Sequence, residues 1–229
     1  MRNPSAVTGG RRMPGLIVKG ESLREQVTRS LRWSLFTGEL APGLTFSVPS
    51  LAEQFGVSAT PVREAVLDLV QQGLVVAVPN KGFRVVNPSL EYLRHGMELR
   101  RLLEVPTMLA VARTISLDEI ATLRSLGESI AEHERERNLR GFVEVDYEFH
   151  WRLSALCGNP LLTELIEDLR AKARVRTVAA MAALGTLCVG AQEHLDLLTA
   201  MQDGDPAAVE RITLSHIQHT LDGLTSGTS

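Results

Sequence analysis

Asp146 and His150 stand four residues apart in a stretch with helical rhythm, so both side chains project from one helix face. Their neighbours Val145, Phe149 and Leu153 are apolar, which turns that face inward. His194 sits beside Leu195 and Leu198, and His216 beside Ile212 and Ile217, each in its own amphipathic segment. A bundle interior can bring this one carboxylate and these three imidazoles together. Such a set suits a borderline divalent cation, zinc first, with manganese, nickel or iron also able to use it. Open coordination positions would then accept water or a ligand carboxylate. The plainer reading is a metal-free polar core, because a lone histidine on an apolar helix face is usually a core residue with a hydrogen-bond partner. His219, three residues past His216, is a rival for the fourth position. His95 and His133 fall among charged residues and read as surface.

Other groups carry weaker signals. Arg100 and Glu104 are spaced for a plain intrahelical salt bridge, with Arg101 beside them. Arg174 and Arg176 lie near apolar Val175 and Val178. A metalloenzyme would use the Asp/His set to activate water, with Glu148 or Glu193 as base. Against that reading, the chain contains no Glu-x-x-His pair of the di-iron type. Cys157 and Cys188 are far apart and in no CxxC pair, so they read as buried free thiols in a reducing compartment.

The elements that must position these groups follow from patterning. The chain has 229 residues, 44% of them hydrophobic, with charges of both signs, which fits one large globular domain or two modest ones. Residues 1–90 hold 10 Lys/Arg against 6 Asp/Glu, whereas residues 91–229 hold 14 against 21. A basic first part on an acidic second part suits a DNA-binding head on a body that does not touch DNA. Residues 1–20 read as a flexible, weakly basic tail without a signal-peptide core. The longest uncharged run, Thr177 to Gln192, falls short of the ~20 apolar residues that span a bilayer. It reads as buried helix broken near Gly185 or Gly190, lining part of a cavity. No membrane association is expected, and the protein is expected to be cytoplasmic.

Leu23, Val27, Leu31 and Leu35 recur at helical spacing behind a Ser22/Glu25 capping box. Leu51, Ala52 and Phe55 form a second short apolar face, and Val62, Ala65, Val66 and Leu69 a third. Gly56-Val57-Ser58 separates the last two. Gly56 can take the positive φ that ends a helix, Ser58 or Thr60 can cap the next, and Pro61 fits its first turn. Helix, glycine turn, helix is the helix-turn-helix pattern, whose second helix, here about 59–72, presents its N-terminal residues to the major groove. Arg63, one turn in, can grip guanine or phosphate, with Ser58, Thr60 and Pro61 beside it. The β-branched runs 74–78 and 83–86 flank Pro79-Asn80-Lys81-Gly82, a hairpin whose tip residues Asn80, Lys81 and Gly82 can meet phosphate or the minor groove. GVSATPVREAV (56–66), LVQQGLV (69–75), VPNKGFRV (78–85) and the G-x-L-x-P-G at 38–43 resemble the winged helix-turn-helix of GntR-type bacterial regulators. Two departures stand out: Ala59 replaces the arginine usual in that family, and Pro49-Ser50 stands where Glu or Arg is common.

After the linker Asn87-Pro88-Ser89, helices are expected at about 90–113, 117–138, 140–156, 160–183, 188–203 and 206–224, the first kinked by Pro106. ELRRLLE (98–104), DYEFH (146–150), GNP (158–160), EH (193–194) and His216 resemble the FCD ligand-sensing domain of FadR-type GntR regulators. The fold class expected is therefore mostly α: a winged helix-turn-helix at 21–87, an all-α antiparallel bundle of FCD type at 88–225, and a short tail at 226–229. The resemblance implies that Asp146, His150, His194 and His216 are metal ligands. It also implies that Arg100 faces an effector cavity and holds an organic acid, a role that stands beside the salt-bridge reading; Arg174 and Arg176, by their apolar neighbours, are secondary candidates. The whole then reads as a homodimeric, metabolite-responsive regulator, most simply a repressor, that binds a palindromic DNA operator and answers to a small carboxylate held near a divalent metal. It is not expected to be an enzyme.

Overall fold

The computed structural model describes residues 22–184 and 190–226; the N-terminal tail, Gly185 and Cys188 lie outside them. The Ser22 hydroxyl accepts from the Glu25 amide at 3.2 Å while the Ser22 amide donates to the Glu25 carboxylate at 2.7 Å. This reciprocal cap starts α1 (Leu23–Phe36). Ser47 caps α2 (Val48–Phe55), and Gly56, at φ 65°, closes it. α3 (Ala59–Gln71) follows. Ser58 occupies its N-cap position but makes no side-chain capping bond, contrary to expectation, so its hydroxyl remains uncommitted. Val27, Leu31, Leu51, Val62, Val66 and Leu69 bury the shared face of these three helices.

The wing is a three-stranded antiparallel sheet rather than a two-stranded hairpin. Its order is β1 (Thr45–Phe46), β3 (Gly82–Val85), β2 (Val75–Val78). Val75 pairs with Val85 and Val78 with Gly82, while Phe46 pairs with Phe83. Two residues are too few to show a strand period, which is why β1 escapes sequence reading. A Cβ on Gly82, at φ +94°, would come within 2.4 Å of the Phe46 carbonyl, so β1 itself requires glycine there.

Ser89 caps α4 (Leu90–Val111), accepting from the Tyr92 amide at 3.1 Å. The helix continues through Pro106. α5 (Leu117–Arg135), α6 (Leu139–Ala155), α7 (Pro160–Leu184), α8 (Ala191–Gln202) and α9 (Pro206–Ser226) complete the described body. α5 packs on α6 and α8, and α4 on α7 and α9. Their core holds Met108, Ile120, Ile130, Phe149, Leu153 and Leu198. The hydrophobic core of the head does not stop at the linker: Val143 of α6 and Ala171, Val175 and Val178 of α7 belong to it. Cys157 is a free, half-exposed thiol rather than a buried one, and it accepts from the Asn159 amide at 3.4 Å. No described helix is long and apolar enough to cross a membrane.

Candidate metal centre and nucleic-acid interface

Three helices converge on one buried point. α6 brings Asp146 and His150, α8 brings His194, and α9 brings His216. One ligand atom from each histidine lies within 4.8 Å of those of the other two. The ring centroids form a nearly equilateral triangle, 4.9 to 5.0 Å on a side. Phe149 packs edge-on against His194 at 4.7 Å and His150 at 5.3 Å, closing the site on its apolar side.

The hydrogen bonds fix the protons. The His194 Nδ1–H faces the Ala191 carbonyl at 3.3 Å, which can only accept. In a neutral ring the Nε2 of His194 is then a bare lone pair. It lies 3.0 Å from His150 Nε2 and 3.3 Å from Asp146 Oδ1, and Asp146 Oδ1 is 3.4 Å from His150 Nε2. These three atoms can share either the Nε2 proton of a neutral His150 or a metal ion. Donor atoms about 2.0–2.2 Å from a zinc ion stand roughly 3.0–3.6 Å apart, which is the spacing these three have. Burial, with Arg170 adding to it, holds His150 well below its usual range despite Asp146. Burial likewise lowers His216 to about 4, outweighing its bond to Glu193. A neutral imidazole is the form a metal needs. Burial works against the Asp146 charge, but His150 and Arg174 outweigh it and hold the carboxyl well below its usual range.

The surrounding shell is ionic. Glu193 accepts from His216 Nδ1 at 3.1 Å and from the Ser215 hydroxyl at 2.7 Å; these bonds overcome burial and lower its carboxyl to about 2. A carboxylate behind a ligating histidine fixes the ring and its tautomer. His219, the rival ligand, also lies 3.0 Å from Glu193, outside the triad. Arg174 donates to Asp146 Oδ2 at 2.9 Å and to Glu167 at 3.4 Å. Arg100 donates to Glu104 at 2.6 Å, and Arg170 bonds the other oxygen of the same carboxylate. Arg100 and Glu104 are therefore a salt bridge, as spacing suggested, but a fully buried one shared with Arg170.

Arg100, Arg170 and Arg174 also line a cavity of about 90 Å³, together with Asp146, the three histidines, Thr177 and Thr220. Two of the effector candidates named from sequence, Arg100 and Arg174, both reach the cavity wall while held in buried ion pairs. Arg176 does not reach the cavity lining; it donates to the Pro88 carbonyl at 2.8 Å and ties α7 to the linker. Arg170 and Glu167 are missed by sequence reading, since three apart on a helix they look like an ordinary solvated ion pair. His95 is exposed as expected, whereas His133 is half-buried, its Nδ1 lying 3.2 Å from the Asn138 amide nitrogen.

On the head, Ser58, Thr60 and Arg63 are exposed at the start of α3, and Pro61 is half-buried. Arg63 has no hydrogen-bond or ion-pair partner among the described residues, so its fork of donors is available to DNA. Asn80, at φ 59°, and Lys81 are exposed at the tip between β2 and β3.

A basic winged helix-turn-helix on an all-helical body places the chain among two-part transcription regulators. Residues 23–85 match the family described as bacterial regulatory proteins, gntR family, and residues 96–219 match the FCD domain. The chain belongs to the GntR family and carries an FCD domain. It is 30% identical over 200 residues to the HTH-type transcriptional repressor RspR of Escherichia coli K12, covering 86% of this chain and 87% of RspR. The solved structure of E. coli McbR/YncC shares the fold with a TM-score of 0.80 at 24% identity, over 91% of this chain and 99% of that one. A structural-genomics target from Rhodococcus sp. RHA1, described as a GntR regulator, gives a TM-score of 0.69 at 21% identity, over 89% and 97% of the two chains. The families and these relatives are transcription regulators and not enzymes, which removes the metalloenzyme alternative.

Proposed function

We propose that this regulator holds a divalent metal, most simply zinc, on Asp146, His150, His194 and His216, and that a small organic acid bound beside it controls DNA binding. One observation carries this reading: ligand atoms of His150, His194 and His216 cluster within 4.8 Å of one another, and His194 Nε2 stands 3.0 Å from His150 Nε2 and 3.3 Å from Asp146 Oδ1, the spacing of donors around one cation. The metal would supply open coordination positions for a carboxylate. Arg100 and Arg174, on the cavity wall, would orient that carboxylate through paired N–H donors. Manganese, nickel or iron could use the same donors.

The head would read DNA through Ser58, Thr60, Pro61 and Arg63 in the major groove and Asn80, Lys81 and Gly82 at the wing tip. Acting in the cytoplasm as a homodimer, two heads would engage the half-sites of a palindromic operator. Repression is the sign favoured by the likeness to the repressor RspR, and the acid would relieve it. The acid acts only through unequal affinity for two head arrangements. Elemental analysis of the purified protein and of His150→Ala tests the site. One metal per chain that disappears in the variant is expected; equal metal-free spectra for both would reduce the cluster to a polar core. A thermal-shift screen of small carboxylic acids in the presence of zinc then identifies the effector class.

A further inference from the structure

Asp146 uses its two oxygens on two different structures. Oδ1 faces His150 and His194, whereas Oδ2 accepts from Arg174 at 2.9 Å. The Arg174 guanidinium in turn lies 5.7 Å from the centre of the Tyr147 ring, the residue next to Asp146 on α6. Tyr147 is where the body meets the head. Arg32 of α1 sits 5.0 Å from the same ring centre, and Trp33 meets the ring edge-on at 5.8 Å. Trp33 is buried, and its indole N–H has no hydrogen-bond acceptor among the described residues. Arg32 also donates to Gln72 at 3.2 Å, and Gln72 caps the C-terminus of α3. An unbroken series of contacts therefore runs from the metal-facing carboxylate to the end of the DNA-reading helix.

We infer that Tyr147 is the joint through which occupancy of the Asp146/His150/His194/His216 cluster is communicated to the head. The inference rests on the metal reading above. A cation on Oδ1 withdraws negative charge from Oδ2 and loosens its hold on Arg174, which keeps Glu167 as an anionic partner at 3.4 Å. The guanidinium then changes its seat on a π-system that Arg32 shares. Because α6 carries Asp146 and His150 toward the cluster and Val143 and Tyr147 toward the core of the head, a small displacement of this helix reaches both.

The test uses the full chain and zinc ion alone, with zinc affinity read by chelator competition and head dynamics by amide hydrogen exchange over α1 and α3. Zinc is expected to change exchange there by roughly 2- to 30-fold in wild type and in Tyr147→Phe, which keeps the ring, but by less than about twofold in Tyr147→Leu and Arg32→Met. Arg32→Met lies off the cluster and keeps its zinc affinity, so it carries the test if Tyr147→Leu folds poorly. Unaltered head responses in Tyr147→Leu and Arg32→Met would overturn the joint while leaving the metal site intact. So would a wild-type head indifferent to bound zinc. Failure of wild type to bind zinc at all would instead remove the metal site, and the joint with it.

Discussion

The head and the buried cavity of the body place their polar groups in opposite ways. On the proposed reading the head would meet DNA with side chains from two short, contiguous segments that point into solvent, each held by local geometry: Gly56 closing α2, Ser58 at the N-cap position and Pro61 in the first turn of α3, Asn80 at the wing tip. The cavity is assembled from five helices, α4, α6, α7, α8 and α9, and most of its polar groups are buried. Exposed readers tolerate substitution without loss of fold; a buried ionic cluster does not, because every charge relies on the others. Function and stability are separable in one region and fused in the other.

That contrast can be broken at several points. The largest effect is expected from Glu104→Ala, which strands the buried Arg100 and leaves Arg170 only Glu167, at 3.7 Å. Loss of about 3–5 kcal/mol in denaturant unfolding is expected; a near-neutral result would mean that water or anions compensate both guanidiniums. His194→Ala should weaken zinc binding by more than the roughly 10- to 100-fold cost of losing an outer partner, as read by chelator competition, with the head's fold retained. Arg63→Ala should cost about 1–3 kcal/mol of specific affinity for a selected duplex and leave thermal stability and zinc affinity unchanged. Unchanged specific binding would dismiss α3 as the recognition helix.

The smallest effect is a pH dependence of the metal-free protein. His216 has an ordinary value of 6.5 and is lowered to about 4 when folded. Across that interval the unfolded chain binds more protons than the native one. The stability contributed by neutral His216 is complete above pH 6.5 and is lost progressively as pH falls toward about 4. The midpoint of thermal unfolding should decline over this range, and His216→Gln should flatten the decline.

The same contrast governs what could be read without coordinates. In the head, capping and turn residues act within four positions of their targets, so the start of α1 behind Ser22 and Glu25 and the Gly56 turn are legible, and the helix expected at 59–72 ends one residue earlier, at Gln71. In the body, Asp146 and His150 announce a shared face by spacing alone, but nothing local links them to His194 and His216. Patterning allows the four to meet and the likeness to a family makes them a ligand set; the fold clusters the three histidines, with Asp146 beside His150 and His194. Arg170 stayed invisible because its partner Glu104 is 66 residues away. Tyr147 stayed invisible because its neighbours Arg32 and Trp33 lie in the other half of the chain.

Val143, Ala171, Val175 and Val178 complete a core that otherwise belongs to residues before the linker. Transplanting residues 22–87 onto an unrelated sensor would therefore strip Trp33 and its neighbours of their floor. A chimera made to answer a new signal would keep its fidelity only if the recipient supplied matching apolar surface on two of its own helices.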